Sequence, residues 1–183
     1  MSDIKVLVLV GSLRAASVNR QLAELAIESA PDGARLEFFD RLGELPFYNE
    51  DIDNGDVEST PEPVAALRQA AADADAALVV TPEYNGSIPG VLKNAIDWLS
   101  RPFGNGALKD KPLAVVGAAL GQYGGVWAHD ETRKSFGIAG PRVIEDLSLS
   151  VRSTAFDGKH PRENTEVADQ LRDIVGKLVA EVG

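Results

Sequence analysis

Ile4-Lys5-Val6-Leu7-Val8-Leu9-Val10-Gly11-Ser12-Leu13-Arg14-Ala15-Ala16-Ser17-Val18-Asn19-Arg20 passes from an apolar run through a polar loop into a helical period. Its first part, Ile4 to Val10, is a β-branched and leucine-rich run of the kind found in strands that are covered on both faces of a parallel sheet. The run stops at Gly11. From Ser17 to Ala30 the apolar period becomes helical, with Leu22, Leu25 and Ala26 on one stripe and Ala23 and Ile27 beside it. Pro31, Asp32 and Gly33 end that helix.

Moving outward, Arg35 to Phe39 is a second strand candidate, and Asp40 to Pro63 has no convincing period. A connection that long inside a compact domain is either functional or mobile. A helix from about Val64 to Asp73 and a strand from Ala76 to Thr81 resume the theme. Pro89 to Leu99 is the next helix, with Val91, Leu92, Ala95, Ile96 and Leu99 facing a core and Pro89 in the first turn, where its missing N–H costs little. Pro112 to Ala119 reads as a buried strand, Gly125 to Phe136 as a weaker helix, and Val143 to Val151 as a fifth strand. Val167, Leu171, Ile174, Val175, Leu178 and Val179 stripe a final helix. Five alternations of strand and helix call for an α/β fold, a parallel sheet with helices on both faces. In such sheets ligands bind outside the carboxyl ends of the strands, so the loops after the first, third and fourth strands become the candidates.

The composition narrows the function classes. At 183 residues the chain fits one domain, residues 1–183, large enough to bury a core without staples. It has no cysteine, which removes disulfides, thiolate metal sites and cysteine nucleophiles and leans toward a cytoplasmic location. The first residues carry no basic stretch followed by a long apolar run, so neither export nor a membrane anchor is expected. A formal net charge of -10 argues against nucleic acid as a partner.

The first loop supplies hydroxyls at Ser12 and Ser17, a guanidinium at Arg14, an amide at Asn19 and the open N–H groups of a helix start, which are the parts of a phosphate cradle. It is neither a Walker loop nor a Gly-x-Gly-x-x-Gly turn. Ser17 serving only as an N-cap and Arg14 as a solvated charge is the competing reading, and this loop alone leaves the two level. The second loop, Thr81-Pro82-Glu83-Tyr84-Asn85-Gly86-Ser87-Ile88-Pro89-Gly90, crowds polar groups at the end of a buried strand, as a flat heterocycle with fixed donors and acceptors would need. A capped turn with Tyr84 half-buried at an edge is its plainer reading, and Trp98 is read as packing. The third loop, Gly117 to Gly125, carries Gly121, Gly124 and Gly125, which allow close backbone approach to a ligand or simply make turns.

These residues resemble the NADPH-dependent FMN reductase family, which includes bacterial quinone, azo-dye and chromate reductases. The resemblance lies in Gly-Ser-x-Arg-x-x-Ser-x-Asn from Gly11, in Pro-Glu-Tyr-Asn-x-Ser-x-Pro-Gly-x-Leu-Lys-Asn-Ala-x-Asp-Trp from Pro82, and in Leu45-Pro46-Phe47-Tyr48-Asn49-Glu50-Asp51. It runs from the first strand to about Gly125. It implies a flavodoxin-like three-layer sandwich with a five-stranded parallel sheet in the order 2-1-3-4-5. It also implies FMN as cofactor, with Ser12, Arg14, Ser17, Val18 and Asn19 around the phosphate and Pro82, Glu83, Tyr84, Asn85 and Ser87 at the isoalloxazine. Gly121 and Gly124 of the third loop would touch the ring's other edge, although Ala119 and Leu120 stand where similar proteins often carry Ser-Pro. Asp130-Glu131-Thr132-Arg133 departs from a Leu-Arg found in similar proteins. A homodimer or homotetramer is implied as well, with the Asp40 to Pro63 loop closing a neighbour's site.

Other constellations point nowhere in particular. Glu50, Asp51, Asp53, Asp56 and Glu58 read as a solvated acidic loop rather than a hard-cation site. His129 and His160 lack triad or metal companions, and both are assigned to the surface. Lys93 and Arg101 read as decorations of an exposed helix face. The expected activity is transfer of electrons from NAD(P)H through FMN to a small-molecule acceptor, with no acid-base pair and no metal required because the flavin carries the chemistry. A flavodoxin-type electron carrier or an FMN-holding sensor is the alternative.

Overall fold

The computed structural model describes residues 3–53, 55 and 59–183. Five strands, β1 (Ile4–Val10), β2 (Ala34–Phe39), β3 (Ala76–Val80), β4 (Pro112–Ala119) and β5 (Arg142–Arg152), form one sheet in the order β2-β1-β3-β4-β5. All four pairings are parallel. Helices α1 (Val18–Glu28), α2 (Glu62–Asp73), α3 (Gly90–Leu99), α4 (Val126–Ala139) and α5 (Thr165–Ala180) make the crossovers and the C-terminal cover. This is the flavodoxin-like sandwich and strand order implied by the motifs.

The continuous apolar runs are explained by two cores, one on each face. Val6, Val8 and Val10 of β1 and Leu78 and Val80 of β3 pack with Leu22 and Ala26 of α1 and with Leu171, Ile174 and Leu178 of α5. The alternate residues, Leu7, Leu9 and Val79, meet Val64 and Leu67 of α2, Leu92 and Trp98 of α3 and Phe136 of α4. β3 and β4 are buried throughout because helices cover both faces and strands flank both edges. The edge strand β5 alternates between exposed and half-buried positions, and its register against β4 slips between Val143 and Ser148.

The unpatterned stretch after β2 is held by side chains rather than by an apolar stripe. Pro46 O accepts from Trp98 Nε1 at 2.8 Å and from Asn94 Nδ2 at 3.0 Å, and Asn94 Oδ1 accepts from the Tyr48 N–H at 2.8 Å. Tyr48 meets Trp98 edge-on with ring centroids 5.0 Å apart, and its hydroxyl accepts from Arg101 Nε at 2.9 Å. Asp53 takes two 2.9 Å bonds from Arg68, whose guanidinium also reaches Trp98 O. Asp56 and Glu58 of the acidic loop lie outside the described residues.

Candidate functional site

The carboxyl ends of β1, β3 and β4 converge on Thr81, the residue that follows β3. Gly11 and Gly117 flank it so closely that a Cβ on either would collide, with Thr81 Oγ1 in the first case and Thr81 O in the second. Thr81 N–H still donates to Val116 O at 3.0 Å. One rung further, a parallel ladder would pair Ala118 N–H with Thr81 O. That rung is replaced. Ala118 N–H donates instead to Asn19 Oδ1, and Asn19 Nδ2 donates to Ala118 O, both at 2.8 Å. Thr81 O takes its hydrogen bond from His129 Nε2 at 2.8 Å. Pro82 has no N–H, so β3 cannot carry its ladder with β1 past this point.

The first loop keeps most of its expected chemistry. Ser17 is the N-cap of α1, with Oγ accepting from the Asn19 N–H at 3.2 Å. Ser12 Oγ accepts from the Arg14 N–H at 3.4 Å, a long bond. The Arg14 side chain is exposed and, among the described residues, forms no ion pair. Val18, the first residue of α1, leaves its N–H open at the helix start. Asn19 has a buried side chain whose Oδ1 and one Nδ2 hydrogen are bonded to Ala118, so it fastens the loop to β4.

The second loop is a tight hairpin. Asn85 has φ 54° and Gly86 φ 74°, and Tyr84 and Ser87 exchange two 3.1 Å backbone hydrogen bonds. Positive φ at both central residues is the type I′ turn, which favours Asn-Gly. The sequence therefore carried a hairpin signal that its polar reading missed. Helix α4 has only Gly125 at its N-cap, and Glu83 Oε2 supplies the missing acceptor by binding the Ala128 N–H at 3.2 Å. Ser87 Oγ donates to Glu131 Oε2 at 2.6 Å, and Trp127 packs beside Gly86. Ser87 thus lines a separate depression with Lys93, Glu131 and Lys134.

The third loop is more structural than expected. Gly124, with φ 64°, is buried so tightly on the backbone of Ser150 and Val151 that a Cβ would lie 2.7 Å from Val151 C. Gly121 is exposed, its O accepting from Gly124 N–H at 3.0 Å. Leu120, Tyr123 and Trp127 stand exposed beyond it.

His129 overturns its assignment to the surface. It is fully buried, with Nε2 on Thr81 O and Nδ1 2.7 Å from Ser150 Oγ. A carbonyl can only accept, so Nε2 carries the proton and Nδ1 accepts from the Ser150 hydroxyl. Burial pushes the imidazole below its ordinary value and keeps it neutral. His160, by contrast, is half-buried and caps a short turn through Nδ1.

Between the first and second loops lies a depression of about 370 Å³ lined by Gly11, Leu13, Arg14, Tyr84, Pro89, Gly90 and Val91. That size falls in the range of roughly 300–1,000 Å³ usual for small-molecule sites. One end carries the Arg14 cation. The other is apolar, and there α3 begins at Pro89 without a side-chain cap, while the position of a Gly90 Cβ meets open space. An anion at the first end and a flat ring at the second fit this donor set. Among the described residues no group of three or more His, Cys, Asp or Glu could hold a metal, and no helix is long and apolar enough to cross a membrane.

Known proteins resemble this chain in sequence and in fold. Residues 4–155 match the family model described as NADPH-dependent FMN reductase. A 2-hydroxy-1,4-benzoquinone reductase of a Burkholderia species is 45% identical over 130 residues, covering 71% of this chain and 68% of its own. A quinone reductase of Escherichia coli K12 is 38% identical over 179 residues, covering 97% and 93%. Among solved structures, the flavoenzyme NAD(P)H:(acceptor) oxidoreductase FerB of Paracoccus denitrificans superimposes with a TM-score of 0.82 at 33% identity, covering 98% of this chain and 97% of that one.

Proposed function

Because the chain belongs to the NADPH-dependent FMN reductase family, we propose that the depression between Arg14 and Gly90 is its flavin site and that a small quinone is its electron acceptor. The chain is an FMN-dependent NAD(P)H oxidoreductase, with FMN as cofactor and NAD(P)H as co-substrate. Bound FMN supplies the chemistry, taking two electrons from the nicotinamide and releasing them to the acceptor. The protein's residues bind, orient and shield.

In this reading Arg14, the Ser12 and Ser17 hydroxyls and the Val18 N–H hold the phosphate at the start of α1. The helix dipole and a charge-assisted bond from Arg14 both favour a dianion there. Pro82, Tyr84 and the backbone from Pro89 to Val91 hold the ring. Asn85 shapes the hairpin, Glu83 ties that loop to α4, and Gly121 borders it. Asn19, Ser87 and Gly124 act one layer behind, as anchors. The observation that carries the reading is the pairing, on one depression, of the exposed Arg14 cation with an apolar floor.

Nicotinamide and acceptor use the same open side beside Tyr84 by turns, so double-reciprocal plots should be parallel. We place residues 1–183 in one FMN-binding domain, in the cytoplasm, acting as a homodimer or homotetramer. Phe47 supports the oligomer: it is 87% exposed, although its neighbours Pro46 and Tyr48 are pinned to α3. An ordered apolar ring held into solvent suits a partner surface. The spectrum of the purified protein, followed by FMN titration and NADPH addition with a small quinone, tests the reading. A yellow protein that turns over supports it, and a colourless protein that fails to take up FMN overturns it.

A further inference from the structure

We propose that His129 is a positioning residue for the flavin site, a single buried imidazole that couples the loop after β3 to the loop after β4 and sets the opening between those strands. The proposal rests on the flavin reading above and goes beyond it, since the motifs that suggest FMN binding do not include this residue.

His129 occupies the missing rung of the β3–β4 ladder on the β3 side. Its Nε2–H bonds the Thr81 carbonyl at 2.8 Å, the last polar group of β3 before Pro82, Glu83 and Tyr84. The orientation of the Thr81–Pro82 peptide plane is thereby fixed from α4. On the β4 side Asn19 occupies the complementary half-rung, so that the two strand ends part where the ligand loops begin. The opposite ring nitrogen accepts from Ser150 of β5, the strand on whose backbone Gly124 rests.

The surroundings are cut to the imidazole. A Cβ at Gly117 would lie 2.7 Å from Nε2, and one at Gly125 would lie 3.1 Å away. Two glycines of the third loop and its preceding strand therefore leave room for this ring, which explains them without any ligand contact. His129 also begins its helix bonding at Gly125 O, at 3.0 Å. A displacement of the ring is passed to Thr81 on one side and to Gly125 and Ser150 on the other. Because every polar atom of the imidazole is used, no smaller or apolar side chain reproduces both contacts.

The test compares His129→Asn, His129→Gln and Phe136→Leu in the FMN-loaded protein. Asn can place a polar group near Ser150 but does not reach Thr81 O. Gln reaches the position of Nε2 with an amide donor. Phe136 is buried on the same helix, away from the loops, and Phe136→Leu measures the effect of destabilising α4 alone. The readouts are the FMN dissociation constant, the shape of the bound flavin's visible band and the melting temperature. We expect His129→Asn to weaken FMN binding by about tenfold or more, as for a lost hydrogen bond with a buried carbonyl left unpaired, and to alter the band. His129→Gln should restore the affinity, because it keeps the Thr81 bond, and leave the band altered, because it gives up the Ser150 contact, while Phe136→Leu should lower the melting temperature with the flavin signals unchanged. If His129→Asn binds FMN like the parent with the same band, or if Phe136→Leu alters the flavin as much, the positioning role is wrong. If the parent itself takes up no FMN, it is the flavin reading that fails. Should His129→Asn not fold, Ser150→Ala, which removes only the Nδ1 partner, must still alter the band, and an unchanged band there overturns the proposal.

Discussion

Asn19 and Ala118, ninety-nine residues apart, are joined by two 2.8 Å hydrogen bonds in which the side-chain amide satisfies both backbone groups of the β4 residue. The start of α1 is thereby fastened to the end of β4. Asn19→Ala removes both bonds and leaves a buried N–H and a buried carbonyl without partners, at roughly 1–3 kcal/mol for each group. Chemical denaturation of the flavin-free protein should show a loss of about 2–5 kcal/mol. Equal stability of parent and variant would contradict this anchoring role.

Arg14 is the opposite case. Its side chain is exposed and holds no other element in place, so Arg14→Ala should leave the melting temperature unchanged while weakening FMN binding. The loss of one charge-assisted bond to phosphate amounts to roughly 1.5–3 kcal/mol, or about ten- to a hundredfold in affinity. Riboflavin, which lacks the phosphate, should bind parent and variant alike. An unchanged FMN titration would remove Arg14 from the cradle.

The neutral His129 ties stability to pH. Burial lowers its value in the folded state below the ordinary 6.5; the Arg133 charge lowers it further, while the Thr81 bond, Glu83 and Asp130 pull the other way. The unfolded chain therefore takes up a proton that the folded chain refuses. The stabilisation is fully present above pH 6.5 and is lost as pH falls from there toward the folded-state value. Each pH unit in that window should cost up to about 1.4 kcal/mol, and His129→Gln should flatten the slope. Denaturation midpoints measured from neutral to mildly acid pH check this, and an equal slope in the variant would contradict it.

How much of this was legible beforehand differs from element to element. Ile4–Val10 and Pro112–Ala119 could be bounded to the residue because strands buried on both faces leave unbroken apolar runs that end at a glycine or at a turn. The stretch after β2 was illegible because its order comes from long-range bonds, Trp98 and Asn94 to Pro46 and Arg68 to Asp53, which no periodicity announces. The first loop showed its chemistry but not its division of labour, since a side chain's direction at Asn19 depends on a strand ninety-nine residues later. Ser87, which the motif implies at the ring, donates to Glu131, a contact that no local pattern announces. A lone histidine says nothing of burial by itself, and only the glycines at 117 and 125 hint at the space His129 fills.

Phe47 gives the fourth prediction. Its ring is held outward by bonds to its neighbours, so Phe47→Asp should disrupt the oligomer and lower FMN affinity or turnover together. Light scattering with parallel activity measurements checks this. A parent protein that is monomeric, with full FMN affinity and activity, would show that Phe47 has no such partner.

Rapid anaerobic mixing of the FMN-loaded protein with excess NADPH, and separately with NADH, shows whether FMN at the Arg14–Gly90 depression takes electrons from NAD(P)H. With at least one of the two nucleotides, the yellow absorbance should bleach within seconds and return when a small quinone is added. A flavin that stays oxidised for minutes with both would mean that this chain is not a nicotinamide-dependent reductase.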